Sequence, residues 1–455
     1  MKIILSIFLI SLSVLLASCQ KEFLKERPDK ALLVPSTLDD FEAILDNSYR
    51  VMNVSPYLMI SSADNFYTTD QGLQAYTIFS RNAYLWEKDV FQNLSAVDWD
   101  MPYQQVFYAN VVLDGLKDLS VGEEQAERYR LIEARALFYR SIAFYWLVQQ
   151  FAPPYNTANL EMPGIPLKLS SNVTERVFRA PIKDVYAQII HDLEYCLLSL
   201  PDKVSLKTRP SKAAALALLA RINLIMGKYR EVEHYSLETL KITDELLDFN
   251  TLNASLAAPL PMALPTVGQE GNKEVIFYSF PNSYSDIISS VTKLDTNLVA
   301  SFAVNDLRKK IFVNEQGNFK GSYSGSLLPF TGIAVDEVYL MLSESKVYNG
   351  DIHGALQTIN VFRSKRYAND SFKALPLMGP DELLHVILGE RRKELLGRSV
   401  RWVDLRRLNQ QSDRAITLRR MVNGQIIALL PNSARYTFPI PSNELEANKI
   451  EQNIR

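Results

Sequence analysis

The sequence predicts a mainly α-helical protein whose helices carry an irregular, loop-rich side. Three observations predict it. Glycine is scarce, at 17 of 455 residues, which disfavours a β protein punctuated by glycine turns. From Asp98 onward, long stretches repeat apolar residues at helical spacing. Two glycine turns, at Gly227 and Gly350, each separate a pair of such stretches.

At the N-terminus, Lys2 precedes an apolar run from Ile3 to Leu16 that is broken only by serines. The run is too short for a lasting membrane span and fits a secretory signal peptide. It ends in Leu16-Ala17-Ser18-Cys19, which looks like a bacterial lipobox. The small residues at 17 and 18 let a peptidase approach the backbone, and Cys19 offers its thiol for lipid attachment. Ordinary cleavage with an incidental Cys19 is the alternative. On the lipobox reading, residues 1–18 are the signal peptide, Cys19 carries palmitate-type acyl chains, and residues 19–35 form a charged, proline-bearing tether. Each buried methylene adds roughly 0.8 kcal/mol of membrane affinity, so several chains anchor firmly. Gln20, in place of Asp, permits sorting to the outer membrane, and Lys21-Glu22 resembles the charged stretch that precedes surface exposure. Acylation leaves Cys196 as the one other cysteine, so no internal disulfide forms. Leu193, Leu197 and Leu200 around it read as packing for a buried, inert thiol.

Residues 36–455 read as a single domain with regions at about 36–249, 250–335 and 336–455. A helix starts at the Ser36-Thr37 cap, with Leu38, Phe41, Ile44 and Leu45 on one face. Ser55 to Ser95 lacks helical periodicity and reads as irregular. Further helices cover Asp98 to Leu116, Glu123 to Phe151 before Pro153-Pro154, and Ile182 to Leu200. The pair Ser211–Met226 and Tyr229–Lys241 flanks Gly227-Lys228, and a second pair spans Asp336 to Arg366. Small residues near each turn, with Gly227-Lys228-Tyr229 between helices, match a tetratricopeptide-like hairpin. The two turns lie too far apart for a tandem solenoid. Between them sits an insertion carrying Pro259, Pro261 and Pro265, then a β-like run from Glu274 to Phe280. Two helices and an irregular tail close the chain.

Charge is balanced, at 49 basic and 51 acidic residues, which excludes a nucleic-acid surface. The four histidines are isolated, with no metal-ligand cluster, and neither a dinucleotide nor a phosphate loop appears. No metal or cofactor is therefore expected. Gly321-Ser322-Tyr323-Ser324-Gly325 has tyrosine where a nucleophile elbow needs serine. Paired glycosidase carboxylates have no local spacing, so a surface glycoside hydrolase stays open as an alternative. A protein-assembly scaffold is the other.

The most specific segment runs from Gly389 to Leu408. Glu390, Glu394 and Asp404 interleave with Arg391, Arg401, Arg406 and Arg407, which reads as paired charge on helix faces. Glu390 and Glu394, one turn apart, are expected to hold Arg406 or Arg407 of the next helix as a latch, with Trp402 structural. This segment resembles the C-terminal signature of the SusD/RagB family of surface lipoproteins. Glu133 to Arg140 running on to Tyr145-Trp146-Leu147, then Gly164-Ile165-Pro166-Leu167, is similar to the family's long first repeat helix. Asn360-Val361-Phe362-Arg363 and Phe438-Pro439-Ile440-Pro441, with Glu444, Asn448 and Gln452-Asn453, add to the resemblance. Asn223, where an aromatic is common, and Lys346 depart from it.

The resemblance implies a SusD-like fold with four tetratricopeptide-like helical hairpins on one side and ligand-facing loops on the other. It implies a non-catalytic lipoprotein at the outer membrane, facing the exterior through its N-terminal lipid. Such a protein captures a glycan or other nutrient for a SusC-like TonB-dependent transporter. Sugar binding needs an aromatic platform and fixed polar groups. Two segments combine them: Asp64, Asn65, Tyr67, Tyr76, Arg81 and Trp86, then Tyr284, Asp286 and Tyr323. Ordinary loop packing is the alternative for each, while Trp99 and Trp146 sit in apolar helical patterns and read as core.

Overall fold

The computed structural model describes residues 35–256, 263–267, 271–320 and 323–455. The expected signal peptide, Cys19 and residues 20–34 of the tether lie outside them, as do Pro259, Pro261, Gly321 and Ser322. Helix α1 (Leu38–Leu45) starts at a capping box: Thr37 accepts from the Asp40 N–H at 3.2 Å, and Asp40 accepts from the Thr37 N–H at 3.0 Å. Its Leu38, Phe41 and Leu45 face the core.

The stretch expected to be irregular instead folds into short pieces: β1 (Val54–Ser55), α2 (Leu58–Ser62), β2 (Phe66–Thr68), α3 (Asp70–Gln74) and α4 (Ile78–Tyr84). Helices of one or two turns are too short to show a period, and here tertiary burial of Met59, Ile60 and Ala83 stabilises them.

Helices α5 (Val97–Lys117) and α6 (Ala126–Phe151) pack side by side. From Ala134 onward α6 is buried on every side, which makes it the central helix. Strands β3 (Pro163–Pro166) and β4 (Arg179–Pro181) form a small hairpin before α7 (Ile182–Cys196). The chain after Cys196 continues as turns, so α7 ends short of the expected Leu200. Cys196 is buried and donates to the Ala134 carbonyl at 3.1 Å, and burial pushes its thiol well above the ordinary range.

Helices α8 (Lys212–Ile225) and α9 (Tyr229–Ile242) turn about Gly227, whose φ of 69° suits glycine. Strands β5 (Val275–Phe277), β6 (Phe280–Pro281) and β7 (Thr292–Leu294) and helices α10 (Thr296–Ala300) and α11 (Leu307–Phe312) build the loop-rich side. After β8 (Ile333–Ala334), α12 (Val335–Tyr348) and α13 (Ile352–Ser364) turn about Gly350, φ 87°. Tyr229 stacks on Tyr348 at 3.8 Å and ties the two hairpins together.

Helices α14 (Pro380–Glu394) and α15 (Val400–Leu408) follow. The tail holds a β-hairpin, β9 (Leu418–Val422) and β10 (Gln425–Leu429), before α16 (Ser442–Asn448). The hairpin corrects the expectation of an irregular tail. Its turn is Asn423-Gly424 with positive φ at both residues, the strongest short hairpin signal. Among the described residues the strands pair only in twos: β1–β6 in parallel, and β2–β7, β3–β4, β5–β8 and β9–β10 antiparallel.

Candidate functional site

The residues expected to form an aromatic platform divide by exposure. Trp86 is 2% exposed, donates its indole N–H to the Ser62 carbonyl at 3.0 Å, and lies under the Arg420 guanidinium at 4.7 Å. Tyr76 is buried with its hydroxyl 2.7 Å from that of Thr292. Tyr323 is buried between the Arg398 guanidinium, 3.7 Å from its ring, and Glu274, to which its hydroxyl donates. None of the three leaves a ring face open. Asp286 is buried and accepts from Tyr57 at 3.3 Å; burial raises its carboxyl pKa. Tyr67, Arg81 and Tyr284 stay half-buried and accessible.

Asp64 and Asn65 serve as anchors. Arg401 donates to both Asp64 oxygens at 2.7 and 2.9 Å, and Arg392 donates to Asn65 at 3.1 Å. Burial works against the Asp64 charge, but Arg401 and Arg392 hold its carboxyl well below the usual range.

The signature segment is a buried charge network, with different partners from those expected. Gly397 and Ser399 adopt left-handed backbone, φ 70° and 63°, and set the turn between α14 and α15. Arg406 and Arg407 consequently reach the Ala152 carbonyl and Glu344, away from Glu390 and Glu394. Glu390 instead pairs with Arg308 and Lys393, and Glu394 with Arg366 at 2.8 Å and Arg308 at 3.2 Å. Burial raises Glu390, yet the two cations hold it at about 2. Arg391 binds Asp404 at 2.9 Å, and Trp402 is fully buried against Tyr436.

Glu274, Asp336 and Glu394 place carboxylate oxygens within 4.8 Å of one another. Arg366 donates to both glutamates, and Arg398 donates to both Asp336 oxygens at 3.0 and 2.5 Å. These guanidiniums supply the counter-charge that a metal ion would bring. Burial still drives Glu274 up to about 8, so the trio keeps a proton near neutrality.

Open space lies elsewhere. A cavity of about 520 Å³ opens between the chain after α6, the β3–β4 hairpin, the end of α15 and the C-terminal tail. A smaller one of about 360 Å³ lies beside α5, with Trp99, Tyr103 and Glu444 in its wall. The larger is within the range that holds small ligands. Side-chain amides line it in a relay: Asn156 donates to Gln410 at 2.8 Å, Gln410 to Asn432 at 2.7 Å, and Asn432 to the Asn409 carbonyl at 2.7 Å. Of the candidate binding and charged-signature residues named from sequence, Arg406 alone reaches this wall. The others there come from five separated segments with no local motif, although Pro163 and Gln452-Asn453 adjoin or belong to stretches that resembled the family.

Two family models match the chain: one described as starch-binding associating with outer membrane, over residues 22–224, and one described as SusD family, over residues 312–454. SusD-like protein P2 of Formosa agariphila is 27% identical over 134 residues, covering 29% of this chain. The match spans about a quarter of that relative's length, at 24%. A SusD superfamily crystal structure from Bacteroides thetaiotaomicron superposes with a TM-score of 0.74 at 20% identity, covering 92% of this chain and 100% of its own. A putative sugar binding protein from Bacteroides vulgatus gives 0.72 at 21% identity, covering 92% and 99%.

Proposed function

Because the chain belongs to the SusD/RagB family, we propose that it is a cell-surface lipoprotein that captures a glycan and delivers it to a TonB-dependent outer-membrane transporter, without a catalytic step. The observation that carries the reading is the amide-lined cavity of about 520 Å³ on a fold shared with a putative sugar binding protein. Each amide offers both a donor and an acceptor, which is what a sugar hydroxyl needs. Packing Trp86, Tyr76 and Tyr323 into the core moves the weight of recognition from stacking toward hydrogen bonding. Tyr67, Arg81 and Tyr284, which are half-buried and outside the cavity lining, offer a separate contact surface.

A tagged pull-down from native outer membranes tests the delivery role, with recovery of a large TonB-dependent barrel as the expected result. Recovery of the protein alone would count against it. Incubation with polysaccharide should leave the chains at full length, whereas shortened products would favour the hydrolase alternative. Lipid anchorage rests on Cys19, so Cys19→Ser should move the protein from the membrane to the soluble fraction.

A further inference from the structure

The charge in the wall of the larger cavity is incompletely compensated. Arg406 is 3% exposed, its Nη2 donates to the Ala152 carbonyl, and its Nε and Nη1 have no hydrogen-bond partner among the described residues. Arg179 is held by neutral acceptors: the Gly164 carbonyl at 2.8 Å, that of Pro163 at 2.6 Å, that of Glu451 at 3.0 Å and the Asn453 side chain at 2.7 Å. Neither forms an ion pair among the described residues. Burial lowers both guanidiniums to about 10, so both remain charged at neutral pH. The single acidic side chain among the described lining residues, Glu451, is exposed and offsets the burial of Arg179 only in part. A buried guanidinium without a counter-ion is destabilising, and folded proteins normally pair it.

We propose that this cavity is a subsite for an acidic sugar, taking the carboxylate of a uronate or the sulfate of a sulfated glycan against Arg406 and Arg179. This rests on the reading that the protein captures glycans. The oxyanion supplies a counter-charge to Arg406, which lines the cavity and whose buried Nε and Nη1 lack partners among the described residues. The amide relay of Asn156, Gln410 and Asn432 meets neutral hydroxyls on the same ligand. A single inorganic ion would leave most of the cavity empty, which favours an anion carried on a larger polar molecule.

The test is binding of the mature chain to an array of neutral, uronate-bearing and sulfated oligosaccharides, followed by calorimetry with the best of each class and with sodium sulfate. Acidic members should bind about ten-fold or more tightly than neutral ones, and the preference should weaken as salt rises. Arg406→Gln should bring acidic affinity down to the level that neutral sugars show with the unaltered chain while leaving the thermal transition in place, and Arg179→Gln should reduce the preference. Neutral glycans binding as well as acidic ones would overturn the subsite and leave glycan capture standing. An acidic preference that survives both substitutions would overturn it equally. Sodium sulfate matching the acidic sugars would make the site one for a free ion. Binding of no array member would overturn the subsite and the glycan reading together, leaving the transporter pull-down to judge delivery.

Discussion

Arg406 and Arg407 are consecutive residues of α15, both buried, and they sit in opposite electrostatic surroundings. Arg407 donates to the two Glu344 oxygens at 2.5 and 2.9 Å and to Asp404 at 2.9 Å. Burial opposes its charge, but Glu344 and Asp404 raise its pKa well above the ordinary value. Arg406 has one backbone carbonyl and lies in a cavity wall. The same difference separates two regions. In the network around Glu390 and Glu394, carboxylates and guanidiniums satisfy each other, and their work is to hold distant segments together. Around the cavity, Arg406 and Arg179 form no ion pair among the described residues and bond only to neutral acceptors. A local run of charged residues in the sequence thus contains both scaffolding and a candidate binding group, one residue apart.

Removing one member of a matched pair strands the other, so Arg407→Met should cost about 3–5 kcal/mol by denaturant unfolding. An unchanged midpoint would mean that the pairs are not structural. Trp86→Ala should cost about 3 kcal/mol or more through lost packing and a lost hydrogen bond. Glycan affinity per folded molecule should persist; its loss with an intact thermal transition would restore the aromatic platform.

The buried trio sharpens the comparison through pH. Glu274 has a folded pKa raised by burial, so its protonated form stabilises fully below the unfolded value, near 4.5. That contribution is lost as pH rises through about 8. Glu394, also raised by burial, adds to the same slope. Melting temperature should therefore fall across this window, and Glu274→Gln should flatten the decline. A parallel profile for the variant would remove Glu274 as the cause. The smallest effect should come from Arg406→Met, at less than about 1 kcal/mol in either direction, since it exchanges an unpaired buried charge for an apolar chain. A loss as large as that of Arg407→Met would erase the distinction between the regions.

The long helices were legible in the sequence because α5, α6, α8, α9, α12 and α13 each carry several turns of apolar spacing or a glycine at the break. The one- and two-turn helices between Leu58 and Tyr84 were not, because burial rather than local pattern forms them. The hairpin at Asn423-Gly424 carried its signal openly. The latch was half legible: paired charge was evident, but Arg308 and Arg366 lie far from Glu390 and Glu394 in the chain, and no spacing rule connects them. The cavity was the least legible part, for its wall is assembled from the turn after α6, Arg179, the end of α15 and two stretches of the tail.

The parallel pairing of Val54-Ser55 with Phe280-Pro281, together with the grip of Arg392 and Arg401 on Asp64, has a consequence in time. Arg420 adds to it by donating to the carbonyls of Ser61, Ser62 and Ala63. The segment around α2 cannot complete its bonds until residues more than 300 positions later are available. Contacts of such sequence separation slow folding, because the intervening chain must be ordered before they form. A chain emerging N-terminus first would hold its early segments open until the last hundred residues arrive. Pulse proteolysis during refolding should find the bonds around Ser62 protected no earlier than those near Arg401.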